Sequence, residues 1–384
     1  MNTQNQKRIR VCIVAPSLDI LGGQAVQAKR LLDGLSQEPS VEVSFIPINP
    51  RLPGVLSKLQ RIKYVRTLVT SIAYIATLLI RLPSVDVVHI FSASYLSFLI
   101  APTPAILIAR LYGKPVLLNY RSGEAEDHLK RWRRTAIPLM RLADRIVVPS
   151  GYLVDVFAKF GLKAEAVFNT VDFSAFRFRS RRPLRPVLLS NRNFESHYNV
   201  ACILRAFAAL QQYIPSAELI VAGSGKQFSN LVKLASDLGL KNVEFVGAIP
   251  HHKMPSFYDR ADIFINASDV DNMPVSIIEA FACGLPVVTT NAGGIPYIVS
   301  HGRNGILVSR GDYQALARWT ITLLEVEGFA EQMTNAARDD CQKYTWDSVR
   351  SCWLVIYREL AGYAVVYPEN SMRAAIEANE TVKS

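Results

Sequence analysis

The residues between Asp271 and Gly294, DNMPVSIIEAFACGLPVVTTNAGG, carry the chemistry most densely. Asp262 to Asn266 (DIFIN) reads as a buried strand and Val275 to Cys283 as a helix, with Pro274 suited to its first turn because a missing N–H costs nothing there. The N–H groups of Val275 and Ser276 then point at whatever lies before the helix, and a diphosphate matches them in charge and geometry. Glu279, about one turn further on, stands too near the strand ends to be a routine solvated charge; its carboxylate suits two ribose hydroxyls. Gly284 and Pro286 close the helix, Val287 to Thr289 form the next strand, and Gly293-Gly294 bends over the site. Together these groups read as a nucleotide-sugar cradle.

Such a cradle needs parallel strands to hold it, and the whole chain supplies the pattern. RVCIVAP, DVVHIF, PVLLNY and DRIVVPS in the first half, then PVLLSNR, AELIVAG, NVEFVG, DIFINA and PVVTT in the second, alternate with helical stretches such as Val26 to Leu35 and Val200 to Gln212. Strands separated in this way imply parallel βαβ sheets. At 384 residues, half of them hydrophobic, the chain is long enough for two such domains. The expected architecture is α/β: two doubly wound Rossmann-like domains, with ligand in the cleft at their strand C-terminal ends. The boundary is expected in Phe173 to Pro186 (FSAFRFRSRRPLRP), giving a first domain over 1–172, a linker over 173–186 and a second domain over 187–357, with a polar, frayed end from Glu369.

Two further groups fit the cradle. Gly22-Gly23 separates the first strand from the first helix, where a backbone without Cβ lets a phosphate approach closely. Arg192 ends the first strand of the second half, and a guanidinium there can hold a departing diphosphate and neutralise its charge.

With these residues in place, the segment resembles the nucleotide-binding core of the retaining GT-B glycosyltransferases, in particular glycosyltransferase family 4. That signature is Glu, seven residues, Glu, then Ala, a small residue, Cys or Ser, Gly and Pro; here Asp271 replaces the first Glu. The resemblance is strongest from Pro186 to Tyr357. It implies transfer of a sugar, with retention and without a metal ion or other cofactor, from a nucleotide diphosphate sugar (UDP- or GDP-linked) to a hydroxyl of a glycan or lipid-linked acceptor, in cell-surface polysaccharide or glycolipid synthesis. It assigns Arg192 and the Val275–Ser276 helix end to the leaving diphosphate, Glu279 to the ribose, and Asp271 to the sugar hydroxyls. Gly22 and Gly23 fall beside the diphosphate and the acceptor, and Ala248 and Ile249 read the base through backbone and apolar contact, which leaves uracil and guanine undistinguished. The helix Thr345 to Leu360 resembles the family's closing helix, which crosses back so that 358–384 packs on the first domain.

The chain also departs from that pattern. The family usually supplies a Lys five or six positions after Arg192, where this sequence has His197 and Tyr198; neither carries a permanent charge. Lys226, in GSGKQF, is a candidate substitute by position. Family members often place a His where Arg121 stands, which points to a different donor-sugar contact or to an anionic group on donor or acceptor. His128 either enters the site or is structural, and His89 either lines the cleft or is structural. Because Asp is one methylene shorter than Glu, hydroxyl recognition can also pass to the backbone of Asn272 and Met273. These departures keep two rivals in view: a subunit with weak or no catalysis that binds sugar nucleotide, and a GT-B sugar-nucleotide epimerase.

Two motifs point elsewhere and are outweighed. Asp269-Val270-Asp271 spells DxD, a metal-holding pair in other transferases, but no further ligand cluster accompanies it. Gly223-Ser224-Gly225 begins a dinucleotide fingerprint whose third glycine is replaced by Phe228.

Charge is uneven. Residues 1–172 hold 22 Lys and Arg against 12 Asp and Glu, whereas 186–384 hold 16 against 20. Five arginines crowd Phe173 to Arg185, and no acid occurs from Val43 to Val85, where Arg51, Lys58, Arg61, Lys63 and Arg66 precede an apolar run. That surface suits an anionic membrane or a phosphate-bearing acceptor, or is a plain basic face. No nucleic-acid-binding module accompanies it. Thr67 to Ile80 is uncharged but reads as too short to span a bilayer, and Pro102 and Pro104 interrupt the longer run from Ile90 to Ala109. Five scattered cysteines without CxxC spacing, and no secretory signal in the basic start, lead to a cytoplasmic expectation, peripheral on the inner face of the membrane.

Overall fold

The computed structural model describes residues 8–19, 22–52, 58, 60, 62 and 65–364. Arg61, Lys63 and the polar end from Glu369 lie outside the described residues. The chain divides into two compact units, residues 1–168 with 349–384, and residues 169–348.

The first unit is built on six parallel strands, β1 (Ile9–Ala15), β2 (Val41–Pro47), β3 (Val87–Ser92), β4 (Val116–Tyr120), β5 (Arg145–Val148) and β6 (Glu165–Ala166), in the order β2-β1-β3-β4-β5-β6. The strands β3 and β4 are buried along their whole length, and β1 is nearly so. Burial on both faces is why they read as continuous apolar runs rather than alternating ones. Part of the cover comes from the end of the chain: Val349, Trp353, Ile356 and Tyr357 form the buried stripe of the helix Trp346–Leu360. Trp353 and Tyr357 lie against the ring of His89 on β3.

The second unit repeats the plan with β7 (Val187–Asn191), β8 (Glu218–Ala222), β9 (Val243–Gly247), β10 (Ile263–Ile265), β11 (Val287–Thr290) and β12 (Ile306–Val308), ordered β12-β11-β10-β7-β8-β9 and again all parallel. Both sheets thus have the doubly wound α/β form that the alternating pattern anticipates. The helix Val200–Tyr213 packs Val200, Ile203, Leu204, Phe207 and Leu210 into the core and is capped by Asn199, whose side chain accepts the N–H of Cys202 at 3.2 Å.

The arginine-rich stretch before β7 is not a bare linker. Arg179, Arg181 and Arg185 all pair with the buried carboxylate of Asp262. Arg181, itself buried, also donates to the carbonyls of Tyr258, Ala261 and Cys283 at 2.5 to 3.0 Å. These guanidiniums neutralise an internal acid and satisfy carbonyls at helix ends. Most of the charge that the sequence concentrates there is therefore spent inside the second unit.

Candidate functional site

In the second sheet the chain leaves β7 toward β8 and β9, then returns as β10 on the other side of β7. Such a reversal opens a crevice beyond the strand C-termini, where α/β sheets collect ligands. Arg192 follows β7 directly, and Asp271 lies in the loop between β10 and the helix Val275–Ala282. Topology therefore brings them together. Arg192 donates to the Asp271 carboxylate, and its Nη1 donates to Ser276 Oγ at 3.4 Å. The guanidinium also stacks on the ring of Tyr198, 4.1 Å from its centroid. Arg192 Nε is buried and has no acceptor among the described residues.

The side chains of Arg192 and Asp271 are only 12% and 9% exposed. Burial pushes the Asp271 carboxyl up while Arg192 pulls it back. On Arg192 burial works against the charge, but Asp271, Tyr198 and Tyr258 outweigh it and hold the guanidinium above its ordinary value. Removing either partner leaves an uncompensated buried charge, a cost of about 3–5 kcal/mol.

Backbone packing fixes the loop that carries Asp271. Gly294 N–H donates to the Asp271 carbonyl at 2.9 Å. A Cβ on Gly293 would overlap that carbonyl, and one on Gly294 would overlap the carbonyl of Asn272. The Asn272 N–H is taken by Asp271 Oδ1 at 2.9 Å, the Met273 N–H by Asn272 Oδ1, and the Met273 carbonyl accepts from Asn169 Nδ2 at 3.3 Å. These partners occupy the two backbones that the sequence offered as hydroxyl readers. Pro274 is the N-cap of the helix rather than its first residue, with ψ 106°, and Cys283 is the C-cap. Proline sits there without loss because that position also lacks an intrahelical acceptor.

Glu279 is buried and gripped on both oxygens: Oε1 meets His251 Nε2 at 2.8 Å, and Oε2 accepts from the Tyr258 hydroxyl at 3.0 Å. Asn191 Nδ2, at the end of β7, donates to that hydroxyl at 2.8 Å, and the hydroxyl also reaches the Ser276 carbonyl at 3.1 Å. Burial pushes the Tyr258 phenol up, so it remains a donor. Sequence reasoning passed over Asn191, His251 and Tyr258. The adjacency of Asn191 to Arg192 was the one signal available; His251 and Tyr258 come from a loop and a helix well before Glu279 in sequence.

The other expected residues of this unit are dispersed around the sheet's end. Ala248 is exposed and Ile249 half-buried, just beyond β9. His197 accepts the N–H of Asp269 at 2.8 Å through its carbonyl, which steadies the loop after β10. Lys226 is exposed in the loop after β8. The glycines flanking Ser224 serve packing: a Cβ on Gly223 would overlap the Arg192 carbonyl, and one on Gly225 the backbone of Phe194. Asp269 accepts from Asn199 at 3.1 Å while Asp271 holds Arg192, and no group of three potential metal ligands occurs among the described residues.

In the first unit, Gly22 caps the helix Gly23–Ser36 after β1, and a Cβ on Gly22 or Gly23 would meet nothing within 4 Å. Arg121 follows β4; its Nη1 donates to Asn119 Oδ1 at 3.2 Å, its guanidinium lies over Phe91, and burial pushes it down to about 9. Both first-unit histidines are fully buried. His89 Nε2 accepts from Asn119 Nδ2 at 3.0 Å, which leaves Nδ1–H to donate to the Tyr357 hydroxyl at 2.7 Å. His128 Nδ1 meets the Tyr120 hydroxyl at 2.9 Å inside a box of Tyr95, Phe98, Tyr120 and Trp132. Burial, together with Arg121 for His89, pushes the pair down to about 3 and about 4. Both imidazoles are structural in this unit: His89 on β3 and His128 on the helix Ala125–Arg131 are each sealed by aromatic rings.

Against known proteins, the family model of the glycosyl transferases group 1 matches residues 172–340. A sulfoquinovosyl transferase of Arabidopsis thaliana is 26% identical over 284 residues, covering 68% of this chain and 54% of its own. A GDP-mannose-dependent alpha-(1-6)-phosphatidylinositol monomannoside mannosyltransferase of Mycolicibacterium smegmatis is 31% identical over 150 residues, 36% of this chain and 39% of its own. The chain thus spans about half, or less, of the length of these curated relatives. Among solved structures, Anabaena HepE in complex with UDP and glucose shares the fold, with a TM-score of 0.71 at 18% identity over 90% of this chain and 98% of that one.

Proposed function

We propose, from the premise that residues 172–340 belong to the glycosyl transferases group 1 and make this a glycosyltransferase, that the protein moves a sugar with retention, and without a metal ion, from a UDP- or GDP-sugar to a hydroxyl of a glycan or lipid-linked acceptor. The observation that carries this reading is the convergence of Arg192 and the Val275–Ser276 helix end at the switch point of the second sheet, with Glu279 one turn on. A diphosphate placed there meets a permanent cation and the N–H groups of a helix N-terminus. Charge developing on the leaving group as the glycosidic bond breaks is stabilised by the same donors, already oriented by Tyr198, Asp271 and Ser276. A phosphate oxygen takes the acceptor proton on the face from which the leaving group departs, which retains configuration. Glu279, held by His251 and Tyr258, receives ribose hydroxyls, and Asp271 orients the sugar. Gly22, Gly23 and Arg121 are assigned as further substrate contacts of the first unit.

A screen of UDP- and GDP-sugars, reading thermal shift and donor hydrolysis together with and without chelator, tests the reading. We expect one donor class to raise Tm and to be turned over equally in both conditions, with an α-linked donor giving an α-linked product by NMR. Stabilisation with no turnover on long incubation would instead make this a sugar-nucleotide-binding subunit, and interconversion of the donor's sugar without transfer would make it an epimerase.

A further inference from the structure

The helix Val65–Arg81 continues through a short turn to Ser84, and this 20-residue stretch is long and apolar enough, by length and composition, to cross a membrane. The uncharged run Thr67 to Ile80 thus lies within a longer helical stretch that includes Arg66 and Arg81. It is nonetheless fastened along one side: Tyr74 and Leu78 are buried in the first unit's core. The opposite side is open. Leu68, Ile72, Ile75 and Leu79 recur at helical spacing and are 63, 59, 37 and 40% exposed. A neighbouring helix, Pro102–Leu111, adds Leu107 and Leu111, 49 and 75% exposed. Two bonds hold the helices side by side: Tyr74 hydroxyl to the Ala101 carbonyl at 2.8 Å, and Tyr112 hydroxyl to the Leu79 carbonyl at 3.1 Å.

Single exposed leucines are ordinary, but a contiguous patch of this kind marks a binding surface. We infer that this two-helix face docks flat on a bilayer bearing anionic lipid, as a monotopic anchor rather than a span. A spanning helix would have to shed its core-packed side, whereas a flat one buries only the open stripe, about 25 Å long for 17 residues. Charge selects the occupant. Exposed Arg66 and Arg81 stand at the two ends of the helix, and no acidic residue lies from Val43 to Val85. Arg51, by contrast, is paired with Asp19 and Arg110 with Asp144, so they contribute less. A second copy of this basic face would meet like charge.

Vesicle co-sedimentation of the full chain tests this. We expect binding to phosphatidylglycerol–phosphatidylcholine vesicles, weakened by salt, and little to phosphatidylcholine alone. Arg66→Ala with Arg81→Ala should weaken binding ~30-fold, at about fivefold per basic residue near the surface. Leu68→Gln with Ile72→Gln and Leu79→Gln should abolish it. Neither set touches the proposed donor site, so both should keep the donor-induced thermal shift, which also reports that they fold. No vesicle binding by the parent protein, equal binding to both vesicle types, or a concentration-dependent dimer that the glutamine variant dissolves would each overturn the inference. A failed donor screen alongside intact vesicle binding would overturn only the proposed function.

Discussion

The two units are both parallel, doubly wound sheets, with different strand orders, and they use their strand ends oppositely. At the end of β7 and β10 in the second unit, charged and polar side chains are paired with one another and converge on one point: Arg192 with Asp271, Glu279 with His251 and Tyr258. In the first unit the two histidines, His89 within β3 and His128 on the helix Ala125–Arg131, are neutral imidazoles under aromatic rings, and the group that directly follows a strand is the guanidinium of Arg121, after β4. Strand ends alone do not make a site. What distinguishes the second unit is that its loops gather buried charges of both signs beside one helix end, whereas the histidines of the first unit are built into its core.

The largest expected effect is at Arg192. Arg192→Ala removes a preorganised donor to the leaving diphosphate, and loss of one such donor costs about 100- to 1,000-fold in kcat. It also strands the buried Asp271 carboxylate, so unfolding stability should fall by several kcal/mol, on the order of 3. Steady-state kinetics alongside urea denaturation separate the two effects. Arg192→Ala combined with Asp271→Asn should recover much of the stability and none of the activity; full activity in the single variant would sink the mechanism.

Next come the two glycine pairs, which sharpen the contrast directly. Gly294→Ala forces a methyl into the Asn272 carbonyl and should destabilise the second unit by roughly 2–4 kcal/mol, in the range of strain-type substitutions. Gly23→Ala meets open space. It should leave the urea midpoint unchanged and weaken catalysis, provided that loop receives substrate. Equal stability of both variants would show that the loop bearing Asp271 relaxes freely.

A third test uses pH. In an unfolded chain the two first-unit histidines titrate near 6.5, while in the folded protein they do so near 3 and 4. Depressed folded values mean that their stabilising contribution is complete above about 6.5 and is lost as pH falls toward the folded values. Each removes about 1.4 kcal/mol per pH unit over that window. His89→Asn, or His128→Phe, should flatten the acid side of the stability curve by one such slope. An unaltered curve would place a charged or exposed imidazole in the first unit after all.

These contrasts also mark what the sequence could and could not convey. The strands were legible because β1, β3 and β4 are buried on both faces and are written as unbroken apolar runs, and the helix after Pro274 was legible from proline, glycine and spacing. Placement of Arg192 beside the Asp271 loop follows from strand order, which the alternating pattern implies only generally. Side-chain partners were not legible. The clamp of Arg179, Arg181 and Arg185 on Asp262 looked like a basic linker because pairing across about eighty residues leaves no periodic trace. His89 and His128 read equally as site or structural residues, because a histidine is written identically whether it faces a ligand or a tryptophan.

The smallest expected effect tests whether the second unit's polar network positions as well as satisfies. His251 bonds Glu279 from the loop just beyond Ala248 and Ile249, the residues expected at the base, and Tyr258 independently holds the other oxygen. Removing one of two grips should loosen the carboxylate without displacing it. His251→Ala is therefore expected to raise the donor KM by about tenfold, roughly 1.4 kcal/mol, with kcat nearly unchanged, because the ribose contact is made equally in ground and transition states. His251→Asn, which can still donate to the carboxylate, should recover most of the loss. Tyr258→Phe removes a donor that also braces Asn191 and the Ser276 carbonyl, so it should lower kcat as well, through the neighbouring Arg192. If His251→Ala instead lowered kcat with KM unchanged, the loop would belong to the phosphate end of the site, and the division between a ribose-holding and a charge-stabilising half of the second unit would have to be redrawn.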